Sequence, residues 1–274
     1  MSRSSLKEKL RRGELTIGSW ITLGHSSIAE IMVRAGFDWL TVDLEHSAIT
    51  LSEAQRLIQV IDLAGCPPLV RVGENSPNLI KRVMDAGAHG VIVPMVNSKQ
   101  AAEAAVSAVR YPPVGTRGVG LARAQGYGTS FEPYRKWLEK ESVVIVQIEH
   151  IEAVNHLEEI LSVDGIDGLL VGPYDLSGSL GMPGAFERPE VKRALVKIRK
   201  VAGQKKITAG IHVIPPDPRL LRAQVKSGFR FIAFSMDTLF LSDNCRSCLQ
   251  AAREGALSKG AGEPRISRVT EGVH

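Results

Sequence analysis

Two acidic residues, each placed just after a run of apolar residues, are the strongest chemical signal in the chain. Glu149 ends the segment VVIVQIE, and Asp175 follows the segment GLLVGPY. Each run predicts a buried strand, so both carboxylates come where a strand has just stopped. Gln147, close to Glu149 in sequence, adds an amide that can contact water or a ligand. Oxygen donors of this kind suit a hard divalent cation.

Two further apolar segments end in residues that could act on a substrate. The segment WLTVDLEHS carries Asp43, Glu45 and His46, and the segment PLVRV carries Arg71. Asp43 and Glu45 lie two residues apart, so an extended strand presents both on one face. We interpret these two acids as support for a metal-bound water or for His46. A cation, a base and an arginine gathered by strand ends predict an active site.

No lysine occupies such a strand end. Lys205 and Lys206 precede the seventh apolar segment, at the opposite end of its predicted strand, and Lys81 lies in a predicted helix. Schiff-base chemistry therefore lacks its nucleophile. Metal-assisted chemistry is the alternative that remains.

Eight apolar segments alternate with amphipathic ones along the chain. The segments are 15–21, 39–45, 68–72, 90–96, 143–149, 168–172, 207–213 and 229–235. Continuous apolar runs are typical of parallel strands that are covered on both faces. The alternation predicts a single-domain α/β protein, a (β/α)8 barrel over residues 1–253. A doubly wound sheet is the alternative, although no G-x-G-x-x-G follows the first segment.

Composition and charge exclude several classes of protein. The net charge of +5 is scattered, and with 5% aromatic residues it does not favour nucleic-acid binding. No apolar run reaches the roughly 18 residues that a membrane span needs, and the N-terminus lacks a signal-peptide pattern, so we expect a cytoplasmic protein. Cys245 and Cys248 have no second pair with which to form a zinc site. Residues 254–274 are polar and predict a tail that is mobile or packs on a neighbouring subunit.

Five segments of the chain resemble the HpcH/HpaI aldolase family. Members of this family are class II, metal-dependent pyruvate aldolases. They cleave 4-hydroxy-2-oxo acids such as 4-hydroxy-2-oxoheptanedioate or 2-dehydro-3-deoxyglucarate. These segments are AGFDWLTVDLEHS, VRVGENSPNLIKRVMDAGAHGVIVPMV, YPPVGTRGVG, VQIEHIEAV and GPYDLSGSLG. They follow the family's order over residues 13–240 or so. The resemblance implies a TIM barrel of the phosphoenolpyruvate/pyruvate type and a homo-oligomer, a hexamer in the family.

The resemblance also implies a cation site and a base. Glu149 and Asp175 would hold Mg²⁺ or Mn²⁺, with Co²⁺ as a further candidate. His46 would be the base or proton relay. Asp85 of an adjacent subunit would raise the basicity of that histidine. The competing interpretation of Glu149 and Asp175 is that they are helix N-caps, a common use of acidic residues after strands.

Substrate contacts follow from the same resemblance. Arg71 would face the keto oxygen as a two-point donor, and Gln147, Asp175 and the backbone at Tyr174 would contact the substrate. Tyr174 departs from the family pattern, in which a small residue is common before the metal-binding aspartate, so the aldehyde partner cannot be carried over. Arg123, in a long Gly- and Pro-rich loop, is either a receptor for a distal carboxylate of that partner or a solvated loop arginine.

The leading functional hypothesis is reversible cleavage of a 4-hydroxy-2-oxo acid to pyruvate and an aldehyde through a metal-stabilised enolate. One alternative keeps the enolate but decarboxylates oxaloacetate or condenses with another acceptor. The other is a non-catalytic relative that binds a metal or a keto acid. The complete set His46, Arg71, Glu149 and Asp175 is unexpected in a protein that has lost catalysis.

Overall fold

Each of the eight apolar segments forms a parallel strand, and the strands close into a barrel in chain order. The computed structural model describes residues 5–257. The strands are β1 (Thr16–Ile21), β2 (Trp39–Asp43), β3 (Pro68–Arg71), β4 (Gly90–Val93), β5 (Val143–Ile148), β6 (Gly168–Val171), β7 (Thr208–Val213) and β8 (Phe231–Met236). β8 pairs with β1 to complete the ring. The predicted (β/α)8 barrel is confirmed, and the strands are shorter than predicted mainly at their carboxyl ends.

Helices alternate with these strands. They are α1 (Leu6–Arg11), α2 (Ser26–Arg34), α3 (Leu51–Leu63), α4 (Pro77–Asp85), α5 (Lys99–Val109), α6 (Phe131–Glu141), α7 (Ile151–Asn155), α8 (Leu157–Ile160), α9 (Pro173–Ser179), α10 (Pro189–Lys205), α11 (Pro218–Ser227) and α12 (Asp237–Leu257). Thr50 and Glu53 form a capping box at the start of α3. Pro77 opens α4, where its missing N–H costs no helical hydrogen bond.

The barrel interior is filled at the amino ends of the strands. Trp39 stacks on Phe231 with ring centroids 4.2 Å apart. A Cβ at Gly18 would overlap the Trp39 ring, so this position has no room for a side chain. Leu6 and Leu10 of α1 join the same apolar cluster and close that end of the barrel. The charged inward-facing residues therefore lie at the other end, where the strands finish.

The loop after α5 folds back onto the end of that helix. A Cβ at Gly115 would overlap the carbonyl oxygens of Ser107 and Arg110, so glycine allows the close approach. The backbone N–H of Arg117 donates to Arg110 O at 2.9 Å and fixes the end of this turn. A short 3-10 helix, Arg123–Gly128, then leads into α6.

The last described helix, α12, extends away from its own barrel. Residues 241–254 of this helix are all exposed, including Leu241 and Leu249. The helix passes the predicted domain boundary at residue 253, and most of the predicted tail, residues 258–274, lies outside the described residues. Among residues 5–257, no helix is long and apolar enough to cross a membrane.

Candidate active site

Side chains at the carboxyl ends of the strands form one group, the strand-end cluster: Asp43, Glu45, Arg71, Gln147, Glu149 and Asp175. Its centre is an ion pair between Arg71 and Asp43. Arg71 Nε donates to Asp43 Oδ1 at 2.8 Å, and Nη2 donates to Oδ2 at 2.6 Å. The remaining terminal nitrogen, Nη1, lies 3.2 Å from Glu45 Oε2. The guanidinium also lies over the Trp20 ring, 4.3 Å from its centroid. Arg71 is therefore held on three sides before any substrate arrives.

This arrangement corrects the expectation that Arg71 offers two donors to a substrate. Its two-point face is used by Asp43, so Nη1 is the nitrogen best placed for a ligand. Burial alone raises the pKa of the Asp43 carboxyl, but the hydrogen bonds and charge of Arg71 outweigh it and hold this pKa below its usual range. Asp43 and Glu45 both pair with Arg71, and the backbone N–H of His46 also lies 3.4 Å from Asp43 Oδ1. Their predicted support for a metal-bound water or for His46 stays a prediction.

Glu149 follows β5 and is 3% exposed. Its Oε1 accepts a hydrogen bond from the backbone N–H of Met95 at 2.7 Å, and its Oε2 accepts one from Gln147 Nε2. Met95 has φ +52°, a left-handed conformation that is uncommon for a residue other than glycine. No sequence pattern predicts this contact, because a backbone N–H can belong to almost any residue type.

The pKa of Glu149 is raised. Burial is the main cause, and the nearby charge of Asp175 adds to it. The hydrogen bonds from Met95 and Gln147, and the charge of Arg71, oppose the rise without cancelling it. The carboxylate of Glu149 therefore lacks a full counter-charge among its neighbours.

Asp175 lies in the first turn of α9 and is exposed. The N-cap of α9 is Gly172, and the N-cap of α7 is His150, so the interpretation of Asp175 and Glu149 as N-caps is wrong. Tyr174 is about half exposed, and its ring meets the edge of Phe186 at 4.9 Å. The tyrosine ring thus leans on the segment that follows α9.

His46 lies in the loop after β2 with a side chain 66% exposed, and its Nε2 is 3.9 Å from Glu45 Oε2. Asp85 is not part of this cluster within one chain. It is the last residue of α4, and helices of such a barrel run antiparallel to the strands, so Asp85 lies toward the amino ends of the strands. Its ion-pair partner is Arg117, at 2.5 Å.

Arg123 also lies outside the cluster. Its Nη2 donates to Asp62 Oδ2 at 2.6 Å and its Nη1 to Ala86 O at 3.3 Å. The side chain is 15% exposed. Both expectations for Arg123, a receptor in the site and a solvated loop residue, are therefore corrected within the single chain. Two cavities, of about 470 and 590 Å³, likewise lie away from the strand-end cluster.

His212 of β7 does lie beside the cluster. Its ring meets the edge of Trp20 with centroids 5.5 Å apart, and its Nε2 is 3.3 Å from Ser235 O. Burial lowers the pKa of His212 to about 3, and the charge of Arg71 contributes. The imidazole is thus neutral at physiological pH, and it packs beside the Trp20 ring that holds Arg71.

We expect His212 to reduce stability as the pH falls below 6.5. The folded protein has a His212 pKa of about 3 against an ordinary value of 6.5, so only the unfolded chain gains this proton between those values. The free energy of unfolding should then fall by up to about 1.4 kcal/mol per pH unit through this group. Urea unfolding at pH 7 and pH 5 measures the change. The His212→Asn variant should lose less stability than the wild type over this interval, and an equal loss would contradict the assignment.

The cluster carries more negative than positive charge. Burial raises the pKa of Glu45 to about 7, and the carboxylates of Glu149, Asp43 and Asp175 add to the rise while Arg71 opposes it. Four carboxyl groups therefore influence one another around a single guanidinium. Such a cluster is the environment that a bound divalent cation stabilises.

Two buried acceptor atoms in the cluster accept no hydrogen bond: Gln147 Oε1 and Glu45 Oε2, whose contact with Arg71 Nη1 is an ion pair without hydrogen-bond geometry. Across residues 5–257, no group of three or more His, Cys, Asp or Glu residues encloses a metal position. Glu149 and Asp175 would thus supply two ligands and leave the other positions open. Mg²⁺ is commonly bound in this way, by one or two carboxylates with water and substrate oxygens. The donor set fits a divalent cation.

Comparison with known proteins identifies the family of this chain. The family model described as HpcH/HpaI aldolase/citrate lyase matches residues 16–243. The chain belongs to the HpcH/HpaI aldolase/citrate lyase family. This confirms the predicted family, and with it the reaction class, an aldolase-type lyase.

Individual proteins are similar to this chain over most of its length. A 2-keto-3-deoxy-L-rhamnonate aldolase of Escherichia coli O17:K52:H18 is 40% identical over 86% of this chain and 88% of its own length. A family member from Burkholderia cenocepacia J2315 is 34% identical with a TM-score of 0.86, covering 90% of this chain and 98% of that one. The HpcH/HpaI aldolase of Desulfitobacterium hafniense DCB-2 is 31% identical with a TM-score of 0.83, covering 91% and 97%.

Proposed function

We propose that this protein is a divalent-cation-dependent lyase that reversibly cleaves a 4-hydroxy-2-oxo acid to pyruvate and an aldehyde. The observation that supports it most is the pair Glu149 and Asp175 at the strand ends. Glu149 is buried and held by the Met95 N–H, Asp175 is exposed in the first turn of α9, and the nearby guanidinium of Arg71 is already paired with Asp43, so negative charge is in excess here. A cation at the two carboxylates would offset this excess negative charge and leave room for the 2-oxo acid.

Glu149 and Asp175 would hold Mg²⁺ or Mn²⁺, with Co²⁺ as a further candidate. When bound, such a cation acts as a Lewis acid on the 2-oxo acid and increases the acidity of its C3 protons. Glu149 is fixed for this task by the Met95 N–H and by Gln147. Asp175 is exposed at the start of α9, so it can take a ligand without breaking a contact among the described residues.

Arg71 would stabilise the enolate that forms on deprotonation at C3 or on cleavage of the C3–C4 bond. Its Nη1 would donate to the 2-oxo oxygen, where negative charge develops. Asp43 and Trp20 hold the guanidinium in advance, so little reorganisation is needed when the charge appears. Gln147 and the backbone at Tyr174 would orient the substrate carboxylate.

His46 would remove the proton from the C4 hydroxyl during cleavage and return it during condensation. Its side chain is exposed and reaches solvent rather than the barrel interior. Asp85 of a neighbouring subunit would raise its basicity, which requires a homo-oligomer. The projecting part of α12, exposed along residues 241–254 with Leu241 and Leu249 uncovered, supports such an assembly. The family resemblance suggests a hexamer.

The test is pyruvate release from a panel of 4-hydroxy-2-oxo acids with Mg²⁺ or Mn²⁺. The first substrate is 2-keto-3-deoxy-L-rhamnonate, since a relative at 40% identity carries that name. Cleavage between C3 and C4 yields pyruvate and the three-carbon aldehyde 2-hydroxypropanal. We expect cation-dependent release from at least one member of the panel, and pyruvate consumption when aldehydes are supplied. No pyruvate from any member with any cation would overturn the proposal.

Oxaloacetate belongs in the same panel because the family includes citrate lyases. Decarboxylation of oxaloacetate also forms the pyruvate enolate, so Arg71, Glu149 and Asp175 would serve it equally well. Rapid oxaloacetate loss without any aldehyde-dependent reaction would favour this second function over the aldolase.

Replacement of Gly172 by alanine should weaken cation binding. A Cβ at Gly172 would lie 2.8 Å from Glu149 Oε2 and 3.0 Å from Glu149 Cβ, so the carboxylate must move. Loss of a neighbour that orients a metal ligand typically costs about 10–100-fold in metal affinity. Mn²⁺ titration of activity measures the change. Gly203→Ala, where a Cβ meets nothing within 4 Å, is the control and should match the wild type; an unchanged Mn²⁺ requirement in Gly172→Ala would show that the glycine is unimportant.

A further inference from the structure

We propose that Arg117 is a positioning residue that fixes the Asp85 carboxylate at the subunit surface, with one oxygen left to meet His46 of the neighbouring subunit. The inference rests on the proposed function, in which Asp85 acts on a neighbouring His46. It assigns a purpose to the segment YPPVGTRGVG, residues 111–120, which no step described so far has used.

Arg117 is held in one orientation. It is 2% exposed, and its Nη2 donates to Asp85 Oδ1 at 2.5 Å while its Nη1 donates to the Tyr134 hydroxyl at 2.9 Å. The guanidinium also lies over two rings, 4.9 Å from the centroid of Tyr111 and 5.5 Å from that of Tyr134. A planar guanidinium held by two hydrogen bonds and two aromatic faces keeps the angle at which it meets the carboxylate.

The two oxygens of Asp85 are treated differently. Oδ1 accepts from Arg117 and also from Gln125 Nε2 at 3.3 Å. Gln125 is itself held by the Tyr111 hydroxyl, through an Nε2–O hydrogen bond of 2.7 Å. In the part of the chain that the structure describes, no hydrogen bond reaches Oδ2. That oxygen faces the backbone at Gly120, where a Cβ would lie 3.0 Å away.

Tyr134 does not compete with Asp85 for the positive charge. Burial raises the pKa of Tyr134 to about 12, although Arg117 opposes the rise, so its hydroxyl stays neutral. Asp85 is then the one carboxylate that Arg117 contacts by a hydrogen bond or salt bridge among the described residues. The guanidinium charge is directed at that carboxylate.

Helix stability does not explain this arrangement. Asp85 is the last residue of α4, where the helix dipole disfavours a negative charge. A buried ion pair also contributes little net stability, because both charges must leave water. Glycine at position 115 is needed to bring the loop against α5 and so to deliver Arg117. Gly115 and Arg117 thus hold the Asp85 carboxylate at the C-terminal end of α4, where the helix dipole disfavours it.

The test is a double-mutant cycle on cleavage in the full-length oligomer with Mn²⁺ present. Arg117→Met should lower kcat by about 10–100-fold with little change in KM, the cost expected when a residue that orients a catalytic group is lost. Arg117→Lys should recover part of that loss because it keeps the charge. Asp85→Asn should also lower kcat, and the double variant Arg117→Met/Asp85→Asn should be no slower than Asp85→Asn alone. Arg135→Met is the matched control: this arginine of α6 is partly exposed and forms salt bridges only with Glu132 and Glu139 among the described residues, so the kcat of the variant should be unchanged.

Thermal unfolding and oligomer size show whether each variant is folded. If Arg117→Met does not fold, Tyr134→Phe decides, since it removes one hydroxyl that holds Arg117 and should lower kcat less than Arg117→Lys does. Multiplicative effects in the double variant, or wild-type kcat in folded Arg117 variants, would overturn the inference. Slow Asp85→Asn together with normal Arg117 variants would overturn this inference and leave the proposed function intact. Absence of cleavage by the wild type would instead overturn the proposed function.

Discussion

Glu149→Gln should abolish cation-dependent cleavage, with a loss in kcat/KM of more than about 10²-fold. Removal of a residue that only orients a metal ligand costs about 10–100-fold in affinity or activity, and Glu149 is proposed as the ligand itself. The substitution keeps the shape of the side chain and removes its charge. It also disturbs the contacts that the carboxylate makes with the Met95 N–H and Gln147 Nε2. Asp175→Asn should lose activity for the same reason.

The measurement is cleavage rate against Mn²⁺ concentration, for the variant and for a matched control. Glu152→Gln, an exposed acid three residues further along on α7, serves as the control and should behave like the wild type. Raising the Mn²⁺ concentration should restore little activity to Glu149→Gln, because one of two protein ligands is weakened. A wild-type cleavage rate in Glu149→Gln would show that Glu149 is not a ligand of the cation.

Arg71→Lys should lower turnover by about 10²–10³-fold, which is the usual cost of losing one preorganised donor to a developing negative charge. Lysine keeps the charge but cannot pair with Asp43 through two nitrogens and still present a third. It also loses the planar contact with the Trp20 ring. We therefore expect kcat to fall more than KM rises.

Steady-state cleavage kinetics measure this effect, and thermal unfolding confirms that the variant is folded. The control is Arg56→Lys, on the exposed surface of α3, where the arginine contacts Ser52. A turnover of Arg71→Lys within about twofold of the wild type would show that Arg71 has a structural role alone.

The strand-end part of the site was predictable from the sequence for a physical reason. Parallel strands of a closed barrel finish at the same end, so residues just after apolar runs must converge. Asp43, Arg71, Gln147 and Glu149 were located in this way. Their pairing was not predictable, because which oxygen Arg71 meets depends on side-chain packing across β2 and β3 and on the Trp20 ring of β1.

The features that sequence reasoning missed involve backbone atoms and long-range contacts. The Met95 N–H that holds Glu149 depends on the left-handed backbone conformation of Met95 after β4. Gly172 leaves space for the Glu149 carboxylate, because a Cβ there would lie 2.8 Å from Glu149 Oε2. The contact between Arg123 and Asp62 joins residues that are distant in sequence, so no local sequence pattern predicts it. The N-cap interpretation was wrong because α9 begins at Pro173, so Asp175 is the third residue of that helix, and because His150 rather than Glu149 is the N-cap of α7.

Hydrogen–deuterium exchange at C3 of pyruvate, followed by NMR in D₂O, tests the central claim most directly. It requires neither an aldehyde nor knowledge of the physiological substrate. With Mg²⁺ or Mn²⁺ the wild type should exchange the methyl protons, and excess EDTA should stop exchange and added cation should restore it. Glu149→Gln should catalyse no exchange with added cation or in EDTA, while Glu152→Gln should catalyse exchange at the wild-type rate. Exchange that continues unchanged in EDTA, or in Glu149→Gln, would contradict a cation held by Glu149 and Asp175 as the origin of the chemistry.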